Sequence, residues 1–172
     1  MTDVALVPAT VAHLAALRSA PAAFGAMIDS PIPAGWPEFP ESIEYTLARL
    51  TDHPDQADWW MHFFLAGGVL VGSGGFAGPP ADGAVEIGYQ IAPAFRGRGL
   101  AAAAAAAMIA KAVAAGTVNT VVAHTLANEN PSTGVLRRLG FRWAGERTDP
   151  DEGTVWRFEL PARRIPPATG RL

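Results

Sequence analysis

Residues 84 to 116 read AVEIGYQIAPAFRGRGLAAAAAAAMIAKAVAAG: an alternating apolar segment, a glycine-arginine turn and seven consecutive alanines. Period-two alternation puts Val85, Ile87, Tyr89 and Ile91 on one face of a strand, with Glu86, Gly88 and Gln90 on the other. Pro93 ends that strand. The alanine run predicts a helix from Gly99 to Ala115, with Gly116 as its C-terminal stop. Side chains this small let the helix pack close to the sheet.

The turn itself has a chemical reading. A helix start presents unpaired backbone N–H groups and the positive end of the helix dipole, which together suit an anion. Glycine at 97 and 99 removes Cβ atoms that would block a close approach, and Arg96 and Arg98 bring charge and forked donors suited to phosphate. The same residues also read as a plain connector with solvated arginines. Gly97, Gly99 and Ala102 fit G-x-G-x-x-A as well, but a dinucleotide fold places that turn after its first strand and an acidic residue about 20 positions on. Here the turn lies in mid-chain, and NTVVAHT offers no carboxylate.

The rest of the chain supplies partners for this unit. Residues 8–20 carry Val11, Leu14 and Leu17 at helical spacing, with Thr10 as N-cap and Pro21 as the stop. PIPAGWPEFP, residues 31–40, holds four prolines and is read as a stiff loop bearing Trp36 and Phe39. ESIEYTLARLTD reads as a second helix, and WWMHFFLAGGVLVGSGGFAGPP as a hairpin about a Gly-Gly turn. TVVAHTL is a strand, PSTGVLRRLG a short helix, and FRWAGER with TVWRFEL a closing pair of strands. The fold expected is α/β, one mixed sheet flanked by helices in a single domain over residues 1–160, with 161–172 as a frayed tail.

Composition narrows the functions. A net charge of −3 gives no broad basic field, so general nucleic-acid binding is not expected. With no cysteine there is neither a disulfide framework nor a thiolate ligand or nucleophile. His62 and His124 fall in strands with no acidic residue at metal-ligand spacing, so no metal is expected. The start MTDVALVPAT lacks the features of a secretory signal, and residues 99–115 are too short and weakly apolar for a bilayer span. A cytoplasmic protein without membrane contact is the expectation, and the apolar composition is compatible with a homodimer.

RGRGLA, from Arg96 to Ala101, resembles the Gln/Arg-x-x-Gly-x-Gly/Ala pyrophosphate turn of the GNAT superfamily of N-acetyltransferases. NPSTGVLRRLGF, residues 130–141, resembles a later motif of that superfamily, and the two together look most like its RimJ/RimL-like branch. The resemblance covers roughly residues 3–160. It implies a mostly antiparallel sheet whose central strands splay, and direct transfer of an acetyl group from acetyl-CoA, as co-substrate, to a primary amine on a protein N-terminus or a small molecule. It further implies that backbone groups near Gln90, Ile91 and Ala92 pair with the pantetheine arm. The turn of Arg96, Gly97, Arg98, Gly99, Leu100 and Ala101 then takes the pyrophosphate, and Asn130 steadies the pantetheine end. The chain departs from many relatives in carrying alanines where they have a threonine-glutamate pair after the turn.

Acyl transfer to an amine needs a proton acceptor for the nitrogen and a proton donor for the leaving thiolate. Glu86 is the candidate base, and the competing reading is a strand glutamate paired across the sheet. Ser132 resembles the branch's proposed proton donor to the thiolate, and an N-cap serine is the bland alternative. His124 stands as an alternative proton acceptor, Tyr89 as core, and Trp59, Trp60, Trp143 and Trp156 as packing residues. Trp36 and Phe39 are the candidates for the acceptor wall. The alternative function is an acyl-CoA-binding or sensing domain without catalysis, and the acceptor's identity is left open.

Overall fold

The computed structural model describes residues 3–164. Seven strands, β1 (Val4–Pro8), β2 (Met61–Ala66), β3 (Val69–Phe76), β4 (Ala84–Ile91), β5 (Thr120–Leu126), β6 (Arg142–Asp149) and β7 (Gly153–Pro161), form one sheet in the order β1-β2-β3-β4-β5-β7-β6. Among the described strands only β4 and β5 pair in parallel. Helices α1 (Val11–Ser19), α2 (Pro21–Ile28) and α3 (Glu41–Asp52) pack on one face, and α4 (Leu100–Ala114) and α5 (Pro131–Arg138) on the other.

Local sequence accounts for most of these boundaries. Thr10 caps α1 through a hydrogen bond from the His13 N–H, while the His13 ring accepts one from Thr10 N–H. Gly67 and Gly68, both at positive φ, make the tight turn between β2 and β3. In α4, Ala104, Ala105, Met108, Ile109 and Ala112 form the buried stripe against the sheet, as the small side chains predict. Beneath α4, Lys111 Nζ reaches Asp58 Oδ1 at 2.7 Å and His62 Nε2 at 2.8 Å, while His62 Nδ1 bonds the Trp60 carbonyl at 2.9 Å.

Four sequence expectations change. Pro21 starts α2 rather than merely stopping α1, because proline needs no N–H partner in a first turn. The short edge strand β1 was not anticipated; five residues are too few to establish a period. Trp143 is 56% exposed on edge strand β6 and so is not a packing residue. Strand β7 runs one residue past 160: Pro161 pairs with Thr120, and Ala162 N–H donates to the Asn119 carbonyl. The rest of the expected tail, from 165 on, lies outside the described residues.

Candidate active site

The strand pair β4–β5 holds together only over Ala84–Ile87 against Thr120–Ala123. Beyond that point β5 pairs with β7 alone, and the last four residues of β4 pair with β3 alone, so the sheet opens as a fork. Backbone groups alternate along a strand. Ala92 N–H donates to the Val71 carbonyl and Glu86 O accepts from Ala77, so Gln90 and Ala92 turn their groups toward β3. Tyr89 therefore presents its N–H and carbonyl to the fork and Ile91 its N–H, the Ile91 carbonyl accepting from Arg96 Nε. Of Gln90, Ile91 and Ala92, only Ile91 turns a backbone group to the fork, and Tyr89 joins it there.

At the end of β4 the chain passes through the glycine-arginine turn. Gly97 and Gly99 have φ of +75° and +76°, and a Cβ on either would meet nothing within 4 Å, so the space over the turn is open. Gly99 is the N-cap of α4 with no side-chain cap, which leaves the first-turn N–H groups of Leu100 and Ala101 unpaired by any side chain. The arginines face other tasks. Arg96 donates from Nε to the Ile91 carbonyl at 3.0 Å and from its guanidinium to Glu38 at 2.7 Å. Arg98 bonds the Ala94 carbonyl at 3.1 Å and lies over the Phe95 ring. Here Arg96 braces the proline loop, where the sequence pointed it at an anion.

Glu86 and His124 sit where the fork begins, with His124 Nδ1 and Glu86 Oε1 2.8 Å apart. The imidazole is 13% exposed and the carboxylate 41%. Nε2 of His124 is buried without a hydrogen-bond partner, which makes Nδ1–H the donor to the carboxylate. The Tyr89 hydroxyl is likewise buried without a formed hydrogen bond. Burial pushes its pKa up to about 12, and the nearby Ser132 hydroxyl pulls it slightly back. Ser132 does not cap α5. That task belongs to Asn130, whose Oδ1 accepts from Thr133 N–H at 3.1 Å while Nδ2 donates to Asn128. Asn130 is thereby occupied with the helix start, and Ser132 stands free in the first turn.

Two cavities meet at Glu86 and Phe39. The first, of about 380 Å³, lies between α3 and the β3–β4 strands, under Phe39, Tyr45 and Trp60. The second opens beside the last hairpin, with His124, Arg147, Asp149 and Glu152 on its wall. Asp149 caps the hairpin turn, and the N–H groups of Glu152 and Asp151 hold its carboxyl below the usual range. Trp36 lines neither cavity. It is 6% exposed, stacks on Phe24 and donates from Nε1 to Ser73, so it belongs to the core. Tyr45 and Trp60 were missed as lining residues because only the packing of α3 over the sheet brings them together. Among the described residues no group of three His, Cys, Asp or Glu side chains is placed to hold a metal, and no helix is long and apolar enough to cross a membrane.

The acetyltransferase (GNAT) domain family matches residues 4–142 of the chain. No curated protein sequence matches it. RimL, a ribosomal L7/L12 alpha-N-protein acetyltransferase solved with coenzyme A, superposes with a TM-score of 0.67 at 20% identity, covering 94% of this chain and 95% of that one. Mycobacterium smegmatis RimJ, solved with CoA-disulfide, gives 0.69 at 20% identity over 95% and 84%. MccE, the microcin C7 self-immunity acetyltransferase solved with acetyl-CoA and AMP, gives 0.65 at 16% identity over 92% of each chain. Likeness at these identities establishes a shared fold.

Proposed function

The chain belongs to the GNAT family of acetyltransferases, with acetyl-CoA as co-substrate of an N-acetyl transfer, and we propose that the transfer occurs at the fork between β4 and β5, with Glu86 as proton acceptor. The observation that carries this reading is the junction itself. An uncapped helix start follows, across a 3-10 turn at Pro93–Phe95 and the glycine-arginine turn, on a strand whose free edge faces a fork, and a carboxylate stands at the fork's closed end.

The residues divide the chemistry among them. The N–H groups of Leu100 and Ala101, in the turn that Gly97 and Gly99 keep open, hold the pyrophosphate. The edge of β4 at Tyr89 and Ile91 pairs with the pantetheine arm. Glu86, oriented by His124, removes the proton from the attacking ammonium so that nitrogen can bond to the thioester carbonyl carbon. Backbone N–H at the fork stabilises the oxygen as negative charge develops on it. As the carbon–sulfur bond breaks, Ser132, backed by the Tyr89 hydroxyl, returns a proton to the thiolate. Phe39 stands at the mouth of the acceptor cavity.

Thermal unfolding with acetyl-CoA, CoA and ADP tests the cradle, and thiol release across a panel of amines tests the transfer. A hundredfold excess over Kd adds about 2.7 kcal/mol, a rise of roughly 5–10 °C for a domain of this size. The expected result is that rise with acetyl-CoA and CoA but little with ADP, together with amine-dependent thiol release. Binding without release from any amine would leave an acyl-CoA-binding domain in place of an enzyme.

A further inference from the structure

The first cavity is chemically one-sided. Glu86 is the single charged residue among the described residues that line it, and it stands beside the fork where this cavity meets the second. Much of the remaining polar lining is engaged by the protein. Ser42 Oγ donates to the Phe39 carbonyl at 2.7 Å, Ser73 Oγ accepts from Trp36 Nε1 at 3.0 Å, and Gln90 Oε1 accepts from Glu38 N–H at 2.8 Å. The walls are aromatic and flat. Tyr45 meets Trp60 edge to face at 5.9 Å, with the Arg49 guanidinium stacked over both rings, Phe39 joins the lining, and glycines 75 and 88 pair on the floor. A Cβ on Gly88 would meet nothing within 4 Å, so the floor lies open beneath whatever enters.

Resting on the N-acetyl transfer reading, we propose that the acceptor is a primary amine borne on an aromatic group, with the ring between Tyr45, Trp60 and Phe39 and the amine at Glu86. A lone carboxylate in an apolar slot matches one ammonium on an apolar body, and it leaves the further charges of a polycation without partners. In the neighbouring cavity Asp149 is engaged in its turn, and Arg147 and Glu152 bring charges of opposite sign that offset each other. A free arylalkylamine and a peptide beginning with an aromatic residue offer the same chemistry at this slot.

The test measures thiol release from acetyl-CoA by the full chain with 2-phenylethylamine, tryptamine, a phenylalanine-initiated peptide, a serine-initiated peptide and spermidine. The aromatic amines should exceed spermidine and the serine peptide in kcat/KM by about tenfold or more. The first two probes against the phenylalanine peptide tell a free amine from a chain terminus. Gly88→Leu, which fills the floor, should raise KM for the favoured aromatic amine about tenfold, and Gly88→Ala less, while the Kd for CoA by calorimetry stays unchanged. Preference for spermidine or the serine peptide, or a Gly88→Leu enzyme with unaltered KM, would overturn the acceptor class and leave the transfer reading standing. Bound acetyl-CoA with no thiol release from any amine would overturn the transfer reading and this proposal with it.

Discussion

Glu86 and His124 face each other from adjacent parallel strands, oxygen to nitrogen at 2.8 Å, at the point where those strands part. With Nε2 enclosed and unpartnered, the imidazole serves the carboxylate as a fixed donor, and the second carboxylate oxygen is left for the cavity. Glu86→Gln should lower kcat by about 10²- to 10⁴-fold with little change in the Kd for CoA. His124→Phe, which keeps a ring but removes the donor, should cost roughly ten- to a hundredfold in kcat through misorientation. Equal Kd values with unequal kcat losses, read by calorimetry and steady-state kinetics, check the pair.

Burial holds the His62 imidazole at a pKa of about 4 against 6.5 in the unfolded chain, with the Lys111 ammonium adding to the effect and Asp58 opposing it. The unfolded chain therefore binds a proton between these values that the folded chain refuses, so stability falls as pH drops through that window. The loss amounts to about 3 kcal/mol by the acid end. Melting temperature against pH should show this slope, and His62→Gln should flatten it relative to the parent while lowering stability at neutral pH.

Gly99 tests the anion turn. Alanine at φ +76° should cost about 1–2 kcal/mol of stability. Its Cβ meets no protein atom, so any weakening of CoA binding beyond that strain arises from contact with the ligand. The expected outcome is a modest fall in melting temperature with at least a tenfold rise in Kd for CoA, about 1.4 kcal/mol.

Arg96 is tied to Glu38 and Ile91, at the base of the loop that carries Phe39. Arg96→Ala should accordingly raise KM for the amine more than it raises the Kd for CoA. The opposite ratio would return the guanidinium to the pyrophosphate.

Tyr89→Phe removes a buried hydroxyl that has no formed hydrogen bond, so stability should hold or rise by up to about 1 kcal/mol. If that hydroxyl backs Ser132 in protonating the thiolate, kcat falls in Tyr89→Phe and in Ser132→Ala, and the double variant falls less than the product of the two. Independent, multiplicative losses would separate the residues.

The fold was legible where short-range pattern decides it. The alternation of residues 84–91, the Gly67-Gly68 turn and the alanine helix each appear where their local chemistry places them. The site was legible only in part. Glu86 and Phe39 emerge beside cavities, but Trp36 turns inward because its indole finds Ser73 and Phe24, partners far away in sequence. The Glu86–His124 contact depends on the register of a parallel pair 38 residues apart, which no local period encodes. Likewise, Arg96 and Gln90 anchor a loop whose path over the sheet only tertiary packing determines.

Lys111 is the only lysine in the sequence. Its nitrogen is engaged on two sides, by Asp58 and by His62, on the α4 side of the sheet, and Lys111 lines neither cavity. A protein that handles an acylating thioester thus keeps its one ε-amine tethered, and it offers the reagent no loose lysine through which to modify itself.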